Sequence, residues 1–119
     1  MNTKRVLYGE DEVTNRRLLE IKLKKLGIEC DLAEDGLQAL SKIEENTYDL
    51  VILDQFMPGI NGDEIVKRAG SKLENVPLIA ITSDDTEVES LRDVGFNEVF
   101  IKPLRGSRYI EIIKEYIKE

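Results

Sequence analysis

Two unbroken apolar runs, Leu50–Leu53 and Leu78–Ile81, constrain this chain more than anything else in it. Runs this short and this continuous read as strands covered on both faces. Each ends abruptly in polar residues, Asp54 after the first and Thr82-Ser83 after the second. The same unit recurs around them. Val6–Tyr8 is a buried-strand candidate, followed by a helix over Val13–Leu26. In that helix Leu19, Leu23 and Leu26 fall at i, i+4 and i+7, Leu18 and Ile21 widen the stripe, and Gly27 stops it. Residues 28–33 alternate as a half-exposed edge strand does, and Asp35-Gly36 signals a turn. Leu37, Leu40 and Ile43 then repeat at helical spacing.

Pro58, Gly59 and Gly62 mark the loop after Asp54, and Ile65, Ala69 and Leu73 predict a third helix. Val88, Leu91 and Val94 predict a short fourth one closed by Gly95. Val99–Ile101 is the fifth strand and ends in Lys102-Pro103. Tyr109, Ile112, Ile113, Tyr116 and Ile117 give the clearest amphipathic helix. Five βα units in succession imply an α/β fold, a parallel sheet with helices on both faces. Without a linker or low-complexity stretch, residues 1–119 are expected to form one domain.

Composition narrows the chemistry by exclusion. There is no histidine, which removes imidazole bases, Ser-His-Asp triads and ordinary zinc sites. A net charge of −7 argues against direct nucleic-acid binding. The single cysteine, Cys30, reads as a small apolar strand residue and fits a reducing compartment. No apolar run is long enough to span a bilayer or to follow residues 1–5 as a signal peptide, so a cytoplasmic location without membrane contact is expected. What remains is carboxylates, hydroxyls, lysines and a hard metal.

Those groups collect where an open parallel sheet binds ligands, beyond the carboxyl ends of its strands. Glu10 and Asp11 follow strand 1, Asp54 ends strand 3, Thr82 and Ser83 end strand 4, and Lys102 ends strand 5. Alone, each has an ordinary explanation. Glu10, Asp11 and Glu12 can be helix caps, Thr82 can bond at a strand end, and Lys102 can pair with a carboxylate. Asp54 is harder to explain so, because it continues a buried run and a carboxylate there needs a partner or a metal. Asp11, Asp54 and Glu10 repel one another when close, and Mg²⁺ with several retained waters suits such an oxygen set. Asp54 is then a candidate nucleophile forming an acyl phosphate, with Thr82 donating to a phosphoryl oxygen and Lys102 supplying positive charge.

Across nearly its whole length, the chain resembles the receiver domains of two-component response regulators. The resemblance rests on Glu10-Asp11, VILDQFMPGINGDE around Asp54, LIAITSDD around Thr82 and FIKPL around Lys102, in that order. It implies the strand order 2-1-3-4-5 of a flavodoxin-like doubly wound sheet. It implies that Asp54 is the phospho-acceptor, that Asp11 binds Mg²⁺ directly and Glu10 through a water, and that the Phe56 backbone carbonyl is a further ligand. Thr82 resembles the switch hydroxyl and Lys102 the phosphate-contacting lysine, with a cis bond to Pro103. Glu10–Arg16 looks like the opening of receivers in hybrid histidine kinases. The implied partners are a histidine kinase or histidine phosphotransfer protein as donor, and a downstream protein or fused output domain. The chain is thus expected to be a switch that catalyses only its own phosphorylation and dephosphorylation.

Three features depart from the family pattern or tune it. The acidic pair is Glu-Asp, Val99 stands where an aromatic switch residue is usual, and Phe56 and Asp84 occupy positions that tune dephosphorylation. Phe100 is expected on the opposite face from Val99. Competing readings are a phosphohydrolase with an aspartyl-phosphate intermediate, a phosphate-independent scaffold, and a flavin binder. Phe56 stands where many such hydrolases carry a second carboxylate. The intact Asp11, Asp54, Thr82 and Lys102 weigh against a scaffold, and Glu10-Asp11-Glu12 would repel a flavin phosphate.

Overall fold

The structure is a computed structural model that describes residues 3–118; Met1, Asn2 and Glu119, the ends of the expected 1–119 domain, lie outside it. Five strands, β1 (Arg5–Gly9), β2 (Glu29–Ala33), β3 (Leu50–Asp54), β4 (Leu78–Thr82) and β5 (Glu98–Ile101), alternate with five helices. These are α1 (Val13–Lys25), α2 (Gly36–Glu45), α3 (Gly62–Ala69), α4 (Val88–Val94) and α5 (Arg108–Ile117). The strands are all parallel in the order β2-β1-β3-β4-β5, as expected.

Strand alternation sorts the core into two layers. Leu7, Val51, Leu53 and Ala80 pack with Ala39, Ile43, Ile65 and Leu91 of α2, α3 and α4. Val6, Tyr8, Leu50, Ile52, Ile79 and Ile81 pack with Leu19, Leu23, Tyr109 and Ile113 of α1 and α5. Every residue of β3 and β4 is buried, whereas β2 is the half-exposed edge. Val99 joins the first layer and Phe100 the second, where its ring meets Tyr109 edge-on at 6.3 Å. On β2, Cys30 is half-buried beside the second layer, and burial pushes its thiol up to about 12.

The helix stripes differ from the sequence expectation in detail. Helix α1 buries Arg16, Leu19 and Leu23, while Leu18, Ile21 and Leu26 are exposed. In α2 the buried positions are Gly36, Ala39 and Ile43, and Leu37 faces outward. The third repeat is right about burial, but the helix ends at Ala69 and Leu73 lies in a 3-10 turn, Gly70–Leu73. Glu12 and Asp35 cap α1 and α2, accepting from the Asn15 and Gln38 amides at 2.9 and 2.8 Å. Gly27 ends α1 at φ +78°, and the Ile28 amide reaches back to the Leu23 carbonyl at 3.1 Å.

Gly36 is required by a close approach rather than by its backbone angles. A Cβ there would sit 2.1 Å from the Ile60 carbonyl oxygen, and the Gly36 amide donates to the Pro58 carbonyl at 3.0 Å. Backbone on both sides cannot yield as a side chain can. Gly36→Ala is therefore expected to destabilise the protein by about 2–3 kcal/mol through overpacking. In thermal unfolding this is a drop of roughly 10 °C; a melt unchanged from the parent would contradict the contact.

Candidate functional site

The parallel ladder continues past the strand ends and fixes the residues that follow. The Glu10 amide donates to Ala33 at 3.0 Å, the Gln55 amide to Ile81 at 2.8 Å, and the Lys102 amide to Thr82 at 2.8 Å. The backbones that follow β1, β3 and β5 are thereby fixed at one edge of the sheet, with β4 between the last two. Glu10 and Asp54 are 0% and 3% exposed, and with the exposed Asp11 they bring one carboxylate oxygen each within 4.8 Å of one another. Lys102, with its side chain a quarter exposed, reaches across the sheet to both buried acids. Its Nζ lies 2.6 Å from Asp54 Oδ2 and 3.2 Å from Glu10 Oε1.

The electrostatics follow from this crowding. Burial first, and then the Asp54 charge, push Glu10 above the usual carboxylate range, while the Glu12 amide and Lys102 pull it back. Burial disfavours the charge on Lys102, but the Asp54 hydrogen bond and charge, with Glu10, more than offset that and raise it. Tyr8 lies beneath, 1% exposed, and its hydroxyl donates to Glu10 Oε1 at 3.2 Å. Burial and then Glu10 push that phenol upward, so it remains a donor.

The structure thus gathers Glu10, Asp11, Asp54 and Lys102. Thr82 is fully buried on the neighbouring strand, one residue past the partner of Asp54, and its Oγ1 accepts from the Asp84 amide at 3.1 Å. Ser83 is exposed. The Phe56 amide approaches Asp54 Oδ1 at 3.4 Å, and the residue is about half exposed. Asp84 is occupied locally, accepting from the Thr86 amide and hydroxyl at 2.9 and 2.6 Å. The Lys102–Pro103 bond is cis.

Three residues escaped sequence reasoning. Arg16, nearly buried, donates through Nη1 to the Glu10 carbonyl at 2.8 Å and more distantly to that of Asp11, tying α1 to the acidic loop. Gln55, also buried, accepts from the Asp63 amide at 2.9 Å and approaches Glu87, just before α4, at 3.4 Å. The third is Tyr8. Only its place beside an acidic pair hinted at more than packing; for Arg16 and Gln55 no periodicity carries the signal.

The three carboxylates fit a hard cation: all donors are oxygens, they converge, and the charge of Asp54 bears on Glu10, with Lys102 supplying the positive charge between those two. A model of the response regulator receiver domain matches residues 6–114. The chain is 31% identical to the polar-differentiation response regulator DivK of Brucella ovis, covering 97% of each. It is 32% identical over 116 residues to the sensor protein EvgS of Escherichia coli O157:H7, covering 96% of this chain but spanning only 9% of EvgS. Among solved structures, response regulator TrrA of Thermotoga maritima, in complex with Mg²⁺-BeF, is 34% identical with a TM-score of 0.87. That similarity covers 97% of this chain and all of TrrA. No helix among the described residues is long and apolar enough to cross a membrane. On fold, acidic edge and family match together, the chain belongs to the response regulator receiver domains, signalling switches of two-component systems.

Proposed function

We propose that Asp54 accepts a phosphoryl group from a phosphohistidine on a partner kinase or phosphotransfer protein, and that the change is read by a downstream protein or fused output domain. The observation that carries this reading is the convergence on Asp54: a buried carboxylate with an ammonium at 2.6 Å and two further acids within reach. An Asp54 carboxylate oxygen attacks phosphorus in line, a P–O bond forms as the N–P bond breaks, and the donor histidine leaves with the electron pair. Lys102 turns from the carboxylates to a phosphoryl oxygen, and the Thr82 hydroxyl donates to another. Asp11, Asp54, Glu10 through water, and the Phe56 backbone carbonyl would hold Mg²⁺. When bound, the cation neutralises charge on the transferring group.

The Thr82 hydroxyl that donates to the phosphoryl group is also the acceptor of the Asp84 amide, so a shift of Thr82 is passed to the loop before α4. Gln55 links that loop to the segment after Asp54, so both sides of the acceptor feel the change. A pre-existing equilibrium at the partner face is thereby biased. The domain is read as one receiver unit, working in the cytoplasm without nucleic acid or membrane contact, and turning over no small substrate. Val99 favours a second reading, a phosphate-independent interaction module, because an aliphatic residue packs where the aromatic switch is usual.

Incubation with acetyl phosphate, with and without Mg²⁺, followed by intact mass, tests the first reading. A gain of one phosphoryl group that requires Mg²⁺ is expected. No gain by folded protein, together with no response to beryllofluoride, would favour the second.

A further inference from the structure

A fully buried carboxylate persists only where donors meet its oxygens. Glu10 has three. The Tyr8 hydroxyl lies 3.2 Å from Oε1, the Glu12 amide lies 3.1 Å from Oε2, and Lys102 bridges both oxygens at 3.2 and 3.4 Å. Lys102 is shared, and its closer partner is Asp54. Once a phosphoryl group draws that ammonium away, Glu10 keeps one backbone donor and one side-chain donor, Tyr8. Tyr8 stands two residues before Glu10 on β1, is held in the ladder by Leu32 and Ile52, and has its ring packed in the layer beneath α1 and α5. Its hydroxyl is therefore fixed by the sheet and not by the loop.

We propose that Tyr8 is a positioning residue, whose phenol keeps the Glu10 carboxylate turned toward Asp11 and Asp54 when Lys102 yields it to a cation or to a phosphoryl group. The inference rests on the reading of Glu10, Asp11 and Asp54 as an Mg²⁺ site. A tyrosine that merely filled the core would lose nothing as phenylalanine, which supplies the same ring volume. A positioning hydroxyl acts on the cation through Glu10, in the way that groups hydrogen-bonded to metal ligands set affinity.

The test is an Mg²⁺ titration of the whole chain, followed by NMR shifts of the amides after β1 and β3. Tyr8→Phe is expected to weaken Mg²⁺ binding about tenfold. In a Glu10→Ala background the same change is expected to add nothing, because the group being positioned is gone. In the parent protein the Tyr8 ring carbon bearing the hydroxyl should shift along the titration with the same midpoint as the amides, a readout that needs no variant to fold. Parent affinity in Tyr8→Phe, an equal effect without Glu10, or an unmoved Tyr8 resonance overturns the assignment. If the parent itself shows no Mg²⁺-dependent shifts, the acidic site falls and Tyr8 with it. Parent binding with an indifferent Tyr8→Phe sinks Tyr8 alone.

Discussion

Asp54→Asn is expected to take up no phosphoryl group from acetyl phosphate, under conditions in which the parent is expected to gain one. A carboxylate oxygen is a nucleophile and an amide oxygen is a poor one, so the change removes the bond-forming atom while keeping its shape. No neighbour replaces it. Glu10 is enclosed by Tyr8, the Glu12 amide and Lys102, and Asp11 is exposed on the loop beyond the strand. The variant should stay folded, because the side-chain amide oxygen still accepts from Lys102 and one of two repelling charges has gone. Intact mass with and without Mg²⁺ reads the loss, and circular dichroism checks the fold. A phosphoryl gain persisting in Asp54→Asn would move the acceptor elsewhere and end the reading.

Lys102→Ala is expected to destabilise the protein in the absence of divalent cations and to make its stability depend on Mg²⁺. Removing one partner of a buried ion pair typically costs ~3–5 kcal/mol, because the remaining charge is left uncompensated. Here the ammonium is a quarter exposed and partly screened, so about 2–3 kcal/mol is expected. The two acids it leaves, Glu10 and Asp54, are the ones a cation would bind. Mg²⁺ at ten times its dissociation constant should then restore about 1.4 kcal/mol. Its effect on the parent should be smaller, since there Lys102 already occupies the carboxylates. Thermal melts across an Mg²⁺ series distinguish the cases. Equal stabilisation of both proteins would mean that Lys102 and the cation do not compete for one place.

The strand ladder was legible because burial on both faces leaves no room for polar residues, so β3 and β4 appear as continuous apolar words. The acids were legible because those words stop at a fixed edge. Helix faces were less so. Leu18, Ile21 and Leu37 are apolar yet exposed, because hydrophobic residues are not confined to the core. Arg16 is charged yet buried, because backbone carbonyls of the acidic loop satisfy it. Spacing records hydrophobic period, not hydrogen-bond partners. Nothing in the sequence therefore marks Gln55 or Tyr8 by its partners, which are the Asp63 amide and Glu87 for the one and Glu10 for the other. Gly36 was read as a turn residue, and its larger constraint, the Ile60 carbonyl pressed against it, comes from a segment more than twenty residues away.

The separation of the interior into two layers has a bearing on how such a chain changes over generations. Val99 and Phe100 are consecutive, yet Val99 packs against the layer that holds Leu91 and Phe96, and Phe100 lies in the layer that holds Tyr109 and Ile113. Substitutions far apart in the two layers, with no shared partners, tend to add independently. A replacement at Val99 therefore finds its compensations among Leu91, Phe96 and their neighbours, and leaves Tyr109 and Ile113 undisturbed. The two layers share the sheet backbone, and a change of side chain in one reaches the other chiefly through it. An output surface can thus be rewritten on one side while the packing under the other is inherited intact.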